Sequence, residues 1–208
     1  GPYEVLCRIP NAKVQFIAET PGPIRTDTYG FHSNLALVAD TPLEELPDPD
    51  IIVIPGGSTG TMEVMRSKRT LGWLRAAHAT SQWTTSVCTG AFILGAAGLL
   101  HGLQATTHWA SKDYLSPMGA VYVAERFVRR GKIITAAGVS AGIDMALFIA
   151  GQACGDDMAQ ALQLAIEYDP QPPYTAGCAA HAAPDLMQLS LQAIRSAGGM
   201  DGMSRHET

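Results

Sequence analysis

Residues 84–100, TTSVCTGAFILGAAGLL, join two sequence patterns at a single cysteine. Residues 84–87 are rich in β-branched side chains, which predicts the end of a buried strand, whereas residues 91–100 are rich in Ala, Leu and Ile and have helical length. Cys88 therefore lies at a predicted strand-to-helix corner. A free cysteine is usually a small buried hydrophobe, so a chemical role for Cys88 needs support from the rest of the chain.

Strand-like and helix-like segments alternate on both sides of this corner, which is the pattern of an α/β fold with a mostly parallel sheet. Before the corner, the sequence predicts strands at 14–18, 35–38 and in the apolar run DIIVIPGG at 50–57, a turn at 21–23 and a helix at 62–77. After it, the sequence predicts strands at 102–108, 121–128 and 132–135, a tight turn at Arg130-Gly131, a helical region at 142–168 and a terminal helix at 184–197.

The composition is that of a globular protein. Of 208 residues, 47% are hydrophobic and 16% charged, which predicts a single domain spanning 1–208 with a frayed tail at 198–208. The net charge is −5 and no Lys/Arg run is longer than Arg129-Arg130. This balance argues against nucleic-acid or anionic membrane partners and favours a small-molecule or protein partner.

The four cysteines are widely spaced, with no C-x-x-C pair and no histidine at a zinc spacing, so no metal site is expected. Cys7, Cys154 and Cys178 lie at no comparable corner and are interpreted as ordinary thiols. Neither a long apolar span nor a signal-peptide pattern is present in the sequence. We therefore expect a cytoplasmic protein with reduced thiols.

Two predicted strand ends carry the residues of a candidate site. In a parallel α/β sheet, ligands bind at the carboxyl ends of strands, and here these ends are Gly56-Gly57 and Cys88. A nucleophile on a tight strand-to-helix turn is held out of the core, and small residues such as Gly90 and Ala91 let the backbone turn closely. Amides at a helix N-terminus favour a thiolate and stabilise an anionic intermediate.

The run PGGSTG at 55–60 fits neither nucleotide-binding consensus, so a phosphate site is disfavoured.

Four stretches in this order resemble the ThiJ/PfpI superfamily and, within it, the isocyanide hydratases: IIVIPGG, SVCTGAFILGAAGLLHGLQATTHW, GKIITAAGVSAGID and EYDPQPPY. The resemblance extends from residue 1 to about residue 177. The CTG and ATTHW segments are shared with sensor domains of some AraC-type regulators, whereas EYDPQPPY is more discriminating. The resemblance implies the class I glutamine amidotransferase-like fold, a flavodoxin-like three-layer α/β/α sandwich with a mostly parallel central sheet.

The same resemblance implies a function. Isocyanide hydratases form homodimers and hydrate an isocyanide to an N-formamide without a cofactor, so the resemblance implies the same for this chain. Cys88 matches the nucleophile that attacks the isocyanide carbon and forms a thioimidate, which water hydrolyses. Gly57 and Thr89 match the positions whose backbone amides line the thiolate pocket.

One part of the family pattern does not occur in this sequence. Family members carry a first strand followed by an acidic residue in a D-x-x-G-P pattern, and the acid lies close to the thiol. Here Gly1-Pro2 is followed by YEVL, which matches the first family helix. We therefore expect the first strand and the general acid to lie upstream of the given sequence.

Further residues are candidates with two interpretations each. Gly56 and His108 are possible pocket residues, although the hydratase branch relies on the acid rather than on a histidine. Trp109 is either core or pocket wall, and Tyr168 either directs its hydroxyl into the pocket or packs with it bonded elsewhere. Asp144 opens an apolar helix, where a negative charge complements the helix dipole.

Two alternative functions stay open at this stage. A ligand-sensing domain of an AraC-type regulator would need a DNA-binding module of domain size, and only 31 residues follow Gly177. A glyoxalase or deglycase of the same superfamily would use Cys88 on a carbonyl carbon instead.

Overall fold

The computed structural model describes residues 1–26 and 35–196 and contains short strands distributed along the chain. In the described residues the strands are β1 (Ile17–Ala18), β2 (Gly22–Arg25), β3 (Ala36–Ala39), β4 (Thr41–Pro42), β5 (Ile51–Ile54), β6 (Trp83–Val87), β7 (Gln104–Ala105), β8 (Val121–Tyr122), β9 (Phe127–Arg130) and β10 (Ile133–Ala136). The α-helices are α1 (Pro2–Leu6), α2 (Thr59–Arg66), α3 (Lys68–Thr80), α4 (Gly90–Ala96), α5 (Ala141–Cys154), α6 (Asp156–Ala165) and α7 (Pro184–Ser196). Short 3-10 helices occupy Leu43–Glu45, Trp109–Tyr114 and Ser116–Met118.

The main sheet has four strands in the order β5-β6-β10-β9. Strand β6 pairs in parallel with β5 and β10, whereas β9 and β10 are antiparallel. The tight turn predicted between them is present, with Gly131 at φ +60°. Strand β5 lies at the edge of this sheet among the described strands, and the parallel pair β1-β4 forms a separate two-stranded sheet.

Apolar side chains cover both faces of the main sheet, which confirms the three-layer α/β architecture. Ile52 and Ile133 pack in a cluster with residues of α3 and α4. Ile134 and Val87 pack on the other face with residues of α1 and α5. Side chains of successive strand residues point to opposite faces, so the unbroken apolar composition of these strands matches burial on both sides.

Two predicted helices are broken in the structure. Ser67 separates α2 from α3 and has extended backbone, and its side chain accepts a hydrogen bond from the Thr70 amide at 3.0 Å as the N-cap of α3. Gly155 separates α5 from α6 with φ +87°, a conformation that favours glycine. The predicted single helices at 62–77 and 142–168 are therefore each two helices.

The elements predicted near the two ends of the chain agree with the structure only in part. The turn predicted at 21–23 is wrong, because Gly22–Arg25 form β2 and pair antiparallel with β3. The strand predicted at 35–38 and the terminal helix are confirmed as β3 and α7. The expected frayed tail at 198–208 lies outside the described residues. Within the described part of the chain, no helix has the combination of length and apolarity needed to cross a bilayer.

Candidate active site

Cys88 lies between β6 and α4 with φ +57°, in the left-handed region that side chains rarely adopt. Its amide donates to the Ala136 carbonyl at 3.0 Å, and its carbonyl accepts from the Thr107 hydroxyl at 2.8 Å. The predicted strand-to-helix corner is therefore present and is held from two other chain segments. The expectation that the turn holds Cys88 out of the core is wrong, because Cys88 is only 8% exposed and packs among residues of the sheet and α5.

Two glycines let the loop after β5 approach this corner closely. A Cβ atom on Gly56 would lie 2.8 Å from Cys88 Cβ and 3.0 Å from the Thr89 nitrogen. A Cβ atom on Gly90 would lie 2.7 Å from the Pro55 carbonyl oxygen. Any side chain at either position therefore forces the two segments apart, which gives a physical reason for both glycines.

The Thr89 side chain connects the same two segments. Its hydroxyl accepts a hydrogen bond from the Gly57 amide at 2.9 Å, donates one to the Gly57 carbonyl at 2.6 Å, and lies 3.4 Å from the Thr61 hydroxyl. Thr89 is 1% exposed. The sequence predicted that the Gly57 amide faces the thiolate pocket, but here this amide is bonded to Thr89. Donation to a substrate would require the Thr89 hydroxyl to give up that bond.

His108 follows Thr107 and lies at the start of the 3-10 helix Trp109–Tyr114. Its Nδ1 accepts a hydrogen bond from the Ala110 amide at 3.4 Å. Burial lowers the pKa of His108 to about 4, so the imidazole is neutral near pH 7 and carries its proton on Nε2. The Trp109 ring lies beside it, with the ring centroids 5.7 Å apart. His108 is thus a neutral, part-buried group in the segment that supports Cys88.

Tyr168 does not direct its hydroxyl to the thiol. The hydroxyl donates to Asp144 Oδ1 at 2.8 Å, and the other carboxylate oxygen of Asp144 forms an ion pair with Arg126. Burial and the hydrogen bond to Asp144 raise the pKa of Tyr168 above its usual value. Asp144 lies in the first turn of α5, as predicted, but its interactions extend beyond the helix dipole.

Two further residues, Thr107 and Arg126, interact with the segments around Cys88. Thr107 supports the Cys88 carbonyl, and the signal available for it was the buried polar pair Thr106-Thr107 directly before His108. Arg126 reaches Asp144 and Ser140, and no local sequence signal marks it because these partners lie in another element.

The other three cysteines differ in exposure. Cys178 is exposed, and Cys7 and Cys154 are partly buried. Across residues 1–26 and 35–196, His, Cys, Asp and Glu side chains form no group of three or more suited to a metal ion.

Comparison with known proteins gives consistent matches. The profile of the DJ-1/PfpI family matches residues 1–152. The chain is 42% identical over 177 residues to the isonitrile hydratase of Pseudomonas putida, which covers 85% of this chain and 75% of that protein. It is 31% identical over 130 residues to the HTH-type transcriptional regulator CdhR of Pseudomonas aeruginosa, covering 61% of this chain and 38% of the regulator. The crystal structure of a ThiJ/PfpI family protein from Pseudomonas syringae superposes with a TM-score of 0.87 and 32% identity, over 97% of this chain and 82% of that one.

Proposed function

Because the chain belongs to the DJ-1/PfpI family, we propose that it converts an isocyanide to an N-formamide by covalent catalysis at Cys88. The observation that carries this proposal is the left-handed backbone of Cys88 at the strand-to-helix corner. Such strained conformations are costly for residues with a side chain and concentrate at functional sites. The identity of 42% with an isonitrile hydratase supports the choice of substrate class, since isonitrile is another word for isocyanide.

In the proposed first step, the Cys88 thiolate adds through sulfur to the terminal carbon of R–NC. That carbon takes up a proton, which gives the thioimidate R–N=CH–S–R′, where the sulfur and R′ belong to Cys88. Water then adds to the same carbon, and the nitrogen gains one of its protons. The C–S bond breaks as the new hydroxyl gives its proton back to the group that protonated the carbon, which leaves R–NH–CHO and regenerates both the thiolate and the acid. The sum is one isocyanide plus one water to one formamide, with no oxidant, reductant or cofactor.

The groups around the corner have distinct proposed roles. The backbone amide of Thr89 lies at the start of α4, where it stabilises charge that develops on the bound intermediate. The Gly57 amide is a second donor once the Thr89 hydroxyl releases it. Gly56 keeps the loop close to Cys88, because a Cβ atom there would lie 2.8 Å from Cys88 Cβ.

The proton that reaches the isocyanide carbon requires a general acid. Glu4 lies in α1 and is paired with Arg8 at 2.7 Å, so its carboxylate is engaged at the surface. His108 has a pKa of about 4 and holds only its Nε2 proton near pH 7, which makes it a weak acid there. We therefore propose neither residue as the donor; the family resemblance implies a separate carboxyl for this step.

The test is an assay of the purified protein with an aryl isocyanide and, in parallel, with methylglyoxal. We expect formamide production that Cys88→Ser abolishes without changing the urea midpoint. Turnover of methylglyoxal alone would assign the chain to the glyoxalase or deglycase branch. Activity retained by Cys88→Ser would contradict the covalent mechanism.

A sensing role is the second candidate, favoured by the 31% identity with a transcriptional regulator. A sensor domain would bind a small ligand and turn over neither compound.

The family resemblance further implies a homodimer, which light scattering coupled to gel filtration measures directly.

A further inference from the structure

The loop at 137–140 joins β10 to α5 and lies beside the nucleophile. The residue before it, Ala136, accepts the hydrogen bond of the Cys88 amide at 3.0 Å. Within the loop, a Cβ atom on Gly138 would lie 3.7 Å from the His108 ring. The loop therefore continues directly from the residue bonded to Cys88, Ala137 packs against the cluster that contains Cys88, and Gly138 lies close to His108. A change in the position of the loop is expected to change the surroundings of the thiol.

Arg126 holds this loop at both ends. Its carbonyl accepts a hydrogen bond from the Ala137 amide at 2.8 Å. Its guanidinium donates to the Ser140 hydroxyl at 3.3 Å and forms the ion pair with Asp144 in the first turn of α5. A planar guanidinium with several donors suits this arrangement, because one side chain reaches two acceptors in a fixed geometry.

The Asp144 carboxylate is in turn held by Tyr168, which the end of α6 positions. The Glu167 amide donates a hydrogen bond to the Leu164 carbonyl at 3.0 Å, and the Tyr168 amide donates one to the Gln163 carbonyl at 3.1 Å. This is the Schellman pattern of a helix C-terminus, which normally has glycine in the left-handed position. Here Glu167 occupies that position with φ +48°, and the chain turns so that the Tyr168 hydroxyl reaches Asp144.

We propose that Arg126 is a positioning residue of the Cys88 site, which fixes the 137–140 loop beside the thiol through Ser140 and Asp144. Tyr168 completes the arrangement by binding the other carboxylate oxygen of Asp144. Arg126 acts on the reaction only through the loop. The consequence for turnover rests on the proposed function, whereas the consequence for the surroundings of the thiol does not.

The experiment compares Arg126→Gln and Asp144→Asn with the unsubstituted chain in two measurements. The first is kcat and KM for an aryl isocyanide. A displacement of about 1 Å near a reacting group costs up to roughly 100-fold in rate, so we expect kcat to fall by roughly 10-fold to 100-fold with a smaller change in KM. The second is the rate of iodoacetamide alkylation at the Cys88 peptide, read by mass. We expect this rate to rise, because a loosened loop uncovers a thiol that is only 8% exposed.

Loss of folded protein would also lower turnover and raise alkylation, because unfolding exposes the buried thiol. A parallel urea midpoint close to that of the unsubstituted chain separates the positioning role from this effect. The double substitution should cost no more than the larger single effect, since both changes remove the same ion pair. Arg69→Gln is the matched control, because it breaks the exposed ion pair with Glu44, whose atoms are 2.7 Å apart. We expect Arg69→Gln to leave both measurements unchanged.

The outcomes distinguish this inference from the proposed function. If the unsubstituted chain hydrates the isocyanide while Arg126→Gln keeps its kcat and its Cys88 alkylation rate, the positioning role is wrong and the proposed function stands. If the unsubstituted chain shows no hydration, the proposed function fails. The alkylation measurement then decides the positioning role alone, with faster alkylation in Arg126→Gln supporting it and an unchanged rate overturning it.

Discussion

The Thr89 hydroxyl makes two hydrogen bonds to one residue, accepting from the Gly57 amide at 2.9 Å and donating to the Gly57 carbonyl at 2.6 Å. Both groups of this peptide segment are therefore satisfied by one side chain from the neighbouring strand end. Because Thr89 is adjacent to Cys88, the distance between the loop after β5 and the thiol depends on this hydroxyl. Thr89, which was predicted to act through its backbone amide, therefore also joins the start of α4 to the loop after β5 through its side chain.

Thr89→Val should lower both stability and turnover. Valine has a similar shape but leaves the part-buried Gly57 groups without this partner, which costs about 1 kcal/mol of unfolding free energy. The freed loop should also lower kcat by roughly 10-fold or more. Urea unfolding and isocyanide turnover measure the two effects. Thr89→Ser keeps the hydroxyl and is the matched control; a loss in Thr89→Ser with none in Thr89→Val would show that the methyl group, not the hydrogen bonds, matters.

Gly56→Ala should disturb the site through contact alone. The new methyl would lie 2.8 Å from Cys88 Cβ, closer than two carbon atoms approach without displacement. We expect a lower kcat and a lower unfolding free energy. Gly60→Ala is the control, because a Cβ there has no other atom within 4 Å apart from its near neighbours in the chain. Retained activity in Gly56→Ala would mean that the loop shifts without consequence for the thiol.

His108 should make stability depend on pH between about 6.5 and 4. In this window the unfolded chain takes up a proton on the imidazole that the folded protein does not, because burial lowers the pKa in the folded state. Stability should therefore fall as the pH falls through the window, by an amount on the order of 2 kcal/mol for a part-exposed group.

His108→Asn tests this assignment by urea unfolding at pH 7 and at pH 4.5. Asparagine keeps an acceptor for the Ala110 amide and removes the titration, so the difference between the two pH values should shrink. Burial and the nearby Lys132 also lower the pKa of His78, so part of the slope should remain. An unchanged slope would show that His108 does not contribute.

Glu167→Gly should stabilise the protein by up to about 1 kcal/mol. A side chain in the left-handed conformation costs roughly 1–2 kcal/mol, and glycine removes that cost while gaining some freedom in the unfolded chain. Glu167→Ala loses the same carboxylate but keeps a Cβ atom, so it should show no such gain. Thermal unfolding of the three proteins measures the difference, and equal stability of the two variants would contradict strain at φ +48°.

The fold and the strand-to-helix corner at Cys88 could be predicted because their signals are local. The β-branched run before Cys88 and the apolar helix after it specify β6 and α4 from adjacent residues alone. The break at Ser67 was missed because the apolar pattern continues across it, and hydroxyl groups of Ser67 and Thr70 are bound by the distant Glu19 carboxylate. These hydrogen bonds lower the pKa of Glu19 and stabilise a helix start that periodicity does not reveal.

The parts of the site that could not be predicted depend on contacts between distant segments. The partner of the Gly57 amide and the partner of the Tyr168 hydroxyl are both side chains from other elements. A resemblance assigns a position but not the direction of its polar groups. Burial of Cys88 is a further example, since the packing of α5 against the sheet covers a corner that sequence patterning alone would leave open.

The hydrogen bonds around Cys88 also constrain the order of folding. The backbone amide and carbonyl of Cys88 are bonded to Ala136 and Thr107, and the adjacent Thr89 is bonded to Gly57. These partners are far apart along the chain, and contacts of this kind form late because loop closure precedes them. The strained corner is therefore supported only when β5, β6 and β10 have assembled. A partly synthesised or locally unfolded chain would carry the cysteine without the corner geometry on which the proposed nucleophilic role depends.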